Sequence, residues 1–173
     1  MTSIPNKKNG GRGYSLVEML IYIAILTLFS VTIINVILSF SSSYRTLLAL
    51  RMVDSTGIDA MERITRDIRS ASSIVTGQST LGSNPGVLTL LATANGVSTT
   101  TKFYIQNNTL KVDVNGVYLG PISGANTSVT NLVFRSLSSG ISSAVKVEMT
   151  VQSTVGTVTK IKNFYSTIML RGI

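Results

Sequence analysis

Hydrophobic and polar positions fall into three successive patterns along the chain. Residues 19–38 are dominated by Leu, Ile, Val, Ala and Met, with Thr27, Ser30, Thr32 and Asn35 interspersed, and no charged residue lies between Glu18 and Arg45. About 20 such residues suffice to cross a bilayer as a helix. The interspersed polar residues are tolerable there, because Ser and Thr bond back to helical carbonyls and Asn35 can bond across a helix interface. Further on, Ile58, Met61, Ile64, Ile68 and Ala71 recur at steps of three and four, with Asp59, Glu62, Arg63, Arg66, Asp67 and Arg69 mostly on other faces. That spacing predicts an amphipathic continuation of the helix to about residue 73, its apolar stripe packed on the protein's own sheet. Asp54-Ser55-Thr56-Gly57 is the weak point, where a kink or a cap is expected.

After Gly77 the period changes to two. Segments 87–91, 102–106, 109–114, 129–135, 144–152 and 157–170 read as strands. Asn107-Asn108 and Asn115-Gly116 stand where tight hairpin turns belong, since Asn and Gly tolerate positive φ. Gly140 and Gly156 punctuate the later hairpins, and the Ser/Thr/Gly-rich stretches 77–86 and 95–100 read as loops. The expected fold class is α+β: a long N-terminal helix, transmembrane in its first half, packed on an antiparallel β-sheet head.

Composition removes several function classes. The 173 residues include no Cys, no His and no Trp. A disulfide framework is therefore excluded, a transition-metal site would need carboxylates alone, and the seven acids stand nowhere at ligand-like spacing. No side chain offers a His base or a Cys nucleophile, the Ser and Thr residues lack a partner base, and no phosphate-cradling glycine motif follows a strand. The expectation is a protein without cofactor, metal or catalytic residues. The formal charge is +8, unevenly spread. Lys7, Lys8 and Arg12 precede the apolar run, whereas beyond Ser73 seven cations face only Asp113 and Glu148. The leading cluster orients the N-terminus toward the cytoplasm and the remainder outward. The basic far end suits either a solvated surface or an anionic partner.

A secretory signal peptide would have an apolar core of about 7–15 residues ending at a small-x-small site. This run is longer, and Ser39-Phe40-Ser41 matches such a site poorly. The run opens instead with Gly13-Tyr14-Ser15-Leu16-Val17-Glu18. An acid joined directly to a membrane helix is costly and marks function by default, although a solvated acid at a helix start is also favoured by the helix dipole. The glycine five residues earlier and the basic leader decide between these. Together they resemble the processing site of type IV prepilins and pseudopilins: glycine, aromatic, small hydroxyl residue, two aliphatics, and a glutamate opening an apolar helix. Tyr14 stands where that family most often has Phe.

The resemblance implies a division into a cleaved basic leader (1–13), a transmembrane segment (14–44), an amphipathic continuation (45–73) and a β-rich head (74–173). It implies cleavage between Gly13 and Tyr14 by a prepilin peptidase, N-methylation of the new Tyr14 amine, and a role for Glu18 in assembly. The carboxylate would neutralise the Tyr14 amine of a neighbouring subunit, since burying an unpaired charge is expensive. Such head-to-tail contacts generate helical filaments. The implied partners are the peptidase, other pilin or pseudopilin subunits and an inner-membrane assembly platform. The implied location is a single pass of the cytoplasmic membrane, then an extracytoplasmic filament. Residues 62–71 and the closing Leu170-Arg171 pair look like J-type minor pseudopilins of type II secretion and related minor pilins. Two other readings stay open here: a competence-type pilin whose basic head binds DNA, with Lys102-Phe103-Tyr104 and Lys162-Asn163-Phe164-Tyr165 as its candidate stretches, and a membrane protein that is never processed.

Overall fold

The computed structural model describes residues 13–94, 96–139 and 142–171. The leader cations Lys7, Lys8 and Arg12, and the expected turn glycine Gly140, lie outside the described residues. Contacts divide the chain into two units, Met1–Ser42 and Ser43–Ile173.

Helix α1 spans Leu16–Ser70, with Glu18 in its first turn and Arg69 in its last, both complementing the helix dipole. A window of its early part reaches a mean hydropathy of 2.5, with every side chain exposed, which makes it long and apolar enough to cross a membrane. The hydroxyls of Thr27, Ser30 and Thr32 donate to the carbonyls of Ala24, Leu26 and Leu28 at 2.8, 2.8 and 2.9 Å, so these polar groups are satisfied within the helix.

In the second unit the buried face of α1 is Ala49, Val53, Thr56, Gly57, Ala60, Ile64 and Ile68, continued by Ala71. The stripe expected from sequence is right at Ile64, Ile68 and Ala71 but wrong at Ile58, which is 58% exposed. The inward positions one turn earlier are the small residues Gly57 and Ala60, which carry little apolar signal. The helix runs on through residues 54–57 without the expected cap, and the residues there that favour a cap have tertiary or helical partners. Asp54 accepts from Lys162 Nζ at 2.7 Å, the Ser55 hydroxyl reaches Asp59, and Thr56 bonds Thr127 at 3.2 Å. Gly57 leaves the space that the Phe164 ring fills.

The strands form two antiparallel sheets where one was expected. The first runs in chain order through β1 (Ser73–Ile74), β2 (Leu88–Ala94), β3 (Val97–Gln106), β4 (Thr109–Val114) and β5 (Val117–Pro121). The second comprises β6 (Thr127–Ser139), β7 (Ser142–Val155) and β8 (Val158–Met169), again in chain order. The β3–β4 turn places Asn107 and Asn108 at φ 53° and 57°, and the β4–β5 turn places Asn115 and Gly116 at 51° and 78°. These are the left-handed values that two-residue hairpins require. The loop expected at 95–100 is largely strand, since β3 begins at Val97 and its Thr run fits a half-exposed pleat.

The sheets are stitched along β6. Val129 N donates to Asn108 O at 2.8 Å, while Gly82 N and Gly86 N donate to Phe134 O and Leu132 O at 2.7 and 2.8 Å. Asn84 Oδ1 accepts from Leu132 N. A single core results, combining Val53, Ala60, Ile64 and Ile68 of α1 with Leu88, Leu90, Phe103 and Leu110 of the first sheet. Leu132, Phe134, Val145, Val147, Met149, Val151 and Ile168 complete it from the second. On β7 the alternation is complete: Val145, Val147, Met149 and Val151 are buried, while Lys146, Glu148, Thr150 and Gln152 are partly exposed on the other face.

Candidate functional site

The residues singled out at the start of the apolar run stand at the beginning of α1. Gly13, Tyr14 and Ser15 precede the helix, and Met19 N donates to Ser15 O at 3.1 Å, closing its first turn. Tyr14 is 72% exposed. A β-carbon added at Gly13 would meet nothing within 4 Å, so the Gly13–Tyr14 bond is open to approach.

Glu18 and Tyr22 lie four residues apart on one side of the helix, and Tyr14 stands four residues before Glu18, just ahead of the helix. The Tyr22 hydroxyl donates to Glu18 Oε1 at 2.8 Å. The Tyr14 ring meets the Tyr22 ring edge to face, with centroids 6.3 Å apart at 79°. Sequence reasoning found Tyr14 and Glu18 but missed Tyr22, whose signal was its i+4 spacing from the glutamate. Chemically the arrangement presents one carboxylate, held by a neutral donor, four residues after Tyr14. A carboxylate without a charged partner at an apolar helix surface attracts a cation strongly, and after Glu18 no further charge follows along the chain until Arg45.

The basic head distributes its cations differently. Lys162 is paired with Asp54, while Arg135 and Lys146 flank Glu148 at 3.3 and 2.9 Å. The Lys146 ammonium holds the Glu148 carboxyl below its ordinary value, against the opposing effect of partial burial and with help from Arg135. Lys102 lies 5.5 Å from the Tyr104 ring centroid, and the Tyr104 hydroxyl donates to Asp113 at 3.1 Å. Burial first, and that bond second, push the Tyr104 phenol above its ordinary value. Of the aromatics beside these lysines, Phe103 is fully buried, out of reach of a stacking base, and Phe164 is half-buried with its ring over Gly57. Tyr165 is exposed.

The two stretches read from sequence as features of minor subunits come together. Glu62, Arg66, Arg69, Met169, Leu170 and Arg171 line one hollow of about 680 Å³. Within α1, Arg63 pairs with Asp67 at 2.9 Å and Arg66 with Glu62 at 2.8 Å.

No protein-family model, curated protein or solved structure matches this chain.

Proposed function

We propose that this chain is a prepilin-like subunit, cut between Gly13 and Tyr14 and assembled through its apolar helix into a type IV pilus-like filament. One observation carries the reading: an exposed Gly13–Tyr14 bond immediately precedes a helix with Glu18 in its first turn and no further charge until Arg45. Hydrolysis adds water across that bond and releases a Tyr14 amine at the head of the apolar helix, which the same enzyme family then N-methylates. Glycine at the scissile bond removes side-chain bulk. In the filament the Tyr14 amine of one subunit meets Glu18 of its neighbour, a pairing that offsets the cost of burying either charge and sets the axial register. Before assembly, the Tyr22 hydroxyl keeps Glu18 hydrogen-bonded on its own helix.

The orientation follows from Lys7, Lys8 and Arg12, which hold the leader in the cytoplasm and leave the β-sheet unit outside. The likeness of residues 62–71 and of the Leu170-Arg171 pair to stretches of minor pseudopilins points to a minor subunit, present in few copies near the filament tip. The peptidase, other pilin-like subunits and an assembly platform in the membrane are its partners in this reading.

Two substitutions separate cutting from assembly. Gly13→Leu leaves the leader attached, seen as an unprocessed mass. Glu18→Ala is processed normally but fails to enter filaments, because losing one partner of a buried charge pair costs about 3–5 kcal/mol. Normal incorporation of Glu18→Ala would remove Glu18 from the mechanism.

A further inference from the structure

Between the free edge of β8 and the second part of α1 runs a groove made of two adjoining hollows, of about 680 and 400 Å³. Glu62 and Thr65 line both, and every lining residue belongs to the unit Ser43–Ile173. Strand β8 is 12 residues long and ends its sheet; among the described residues no strand pairs with its other edge. The opposite edge of that sheet is treated differently, since the backbone of β6 is bonded by Gly82, Gly86 and Asn108. A long unpaired edge beside a groove is a template for an added strand.

The walls suit alternating side chains. On the helix side, Ile58 is 58% exposed and shares the smaller hollow with Met61 and Phe164. On the outer sheet face, Tyr165 and Met169 are exposed, two places where an added strand would gain cross-strand neighbours. This gives a role to Ile58, which the fold leaves outside the core.

Charge selects the occupant. The larger hollow carries Arg66, Arg69 and Arg171 against Glu62 alone. Arg66 is already bound to Glu62, and among the described residues neither Arg69 nor Arg171 lies within ion-pair distance of a carboxylate. A second copy pairing through its own β8 would bring Lys160 on the strand, and Arg171 just beyond it, to an edge that bears the same charges, and such charges on edge strands oppose self-pairing. We propose that the groove receives an extended segment of a different polypeptide, apolar in its centre and acidic at one end, added as a strand beside β8 with its carboxylates on Arg69 and Arg171. The proposal is independent of whether the Gly13–Tyr14 bond is cut.

The test uses the full chain in detergent micelles and fluorescent peptides of about ten residues. Each peptide alternates Val and Thr and carries an acidic triplet at its N-terminal or its C-terminal end, with fluorescence anisotropy as the readout. One of the two orientations binds. Arg69→Glu with Arg171→Glu weakens that binding by about tenfold or more while the circular dichroism stays unchanged. N-methylating the alternate peptide amides that face β8 abolishes binding, and methylating the other set does not. Four results would overturn the proposal: equal affinity for a lysine-ended peptide, equal response to the two methylation patterns, indifference to the charge reversal, or no binding up to about 1 mM. Self-association of the full chain that Tyr165→Pro abolishes would overturn it too, by making a second copy the occupant.

Discussion

Replacing Gly57 by alanine sets a local preference against a tertiary contact. Gly57 lies inside α1, where alanine is favoured over glycine by about 1 kcal/mol. Yet a β-carbon at this position would fall within the Phe164 ring, meeting its Cζ, Cε1 and Cε2 atoms. The ring must swing away from the helix. Fully burying a phenylalanine stabilises by about 1.5–3 kcal/mol, and the half-buried Phe164 forfeits a good part of what it holds. Overpacking of this kind costs about 1–3 kcal/mol. The helix gain is outweighed, and Gly57→Ala is expected to destabilise the head by about 1 kcal/mol.

In a Phe164→Ala background the ring is gone, and the same substitution should stabilise by about 1 kcal/mol, the helix preference alone. The two backgrounds thus differ by about 2 kcal/mol, an interaction energy well within the range for residues in contact. Urea denaturation of the full chain in detergent, followed by circular dichroism of the sheet, measures all four corners of the cycle. If Gly57→Ala stabilises equally in both backgrounds, Phe164 does not pack on Gly57 and the seating of β8 against α1 is wrong.

Two further perturbations probe the head. Ile64 is fully buried, so Ile64→Asp places an unpaired charge in the core and should unfold the β-sheet unit at a cost of several kcal/mol, read as loss of cooperative denaturation; a folded variant that merely loses a partner subunit would make the stripe a binding face instead. The Glu148 carboxyl is held low in the folded state, chiefly by Lys146, so its stabilising effect is present above the ordinary carboxylate pKa and disappears as pH falls through the depressed value. The gap in denaturation midpoint between wild type and Glu148→Gln should therefore narrow as pH is lowered from 7 to below about 4, and a constant gap would show that Glu148 draws nothing from its cations.

Much of the architecture was legible because it rests on periodicity. The charge-free run, the step of three and four through Ile64, Ile68 and Ala71, and the alternation along β7 each repeat often enough to survive local exceptions. The turns at Asn107-Asn108 and Asn115-Gly116 were legible for a different reason, since few residues adopt positive φ without strain. What failed was information held by pairs distant in sequence. Asp54-Ser55-Thr56-Gly57 carries the composition of a helix end, yet Lys162, Thr127 and Phe164, about 70 to 110 positions away, stabilise it as helix. Ile58 looked like core because it is large and apolar, whereas Ala60 is buried and Gly57 is small enough to admit the Phe164 ring of β8. Strand β5 escaped notice because it is short and ends in Gly120-Pro121, turn residues that hide its Val117-Tyr118-Leu119 start. The division into two sheets depends on which strands share backbone hydrogen bonds, and period-two patterning says nothing of that. At the helix start, Gly13, Tyr14 and Glu18 were legible as a motif of ordered residue types, while Tyr22 emerged through its bond to Glu18.

The proposed function stands or falls on the N-terminus of the mature protein. Intact-mass and terminal-peptide mass spectrometry of the chain recovered from the membranes of its own host reads it directly. The account predicts a protein that begins at Tyr14 and carries one added methyl group on its terminal amine. A mature chain that begins at Met1, or near Phe40 as after signal-peptide removal, would contradict it.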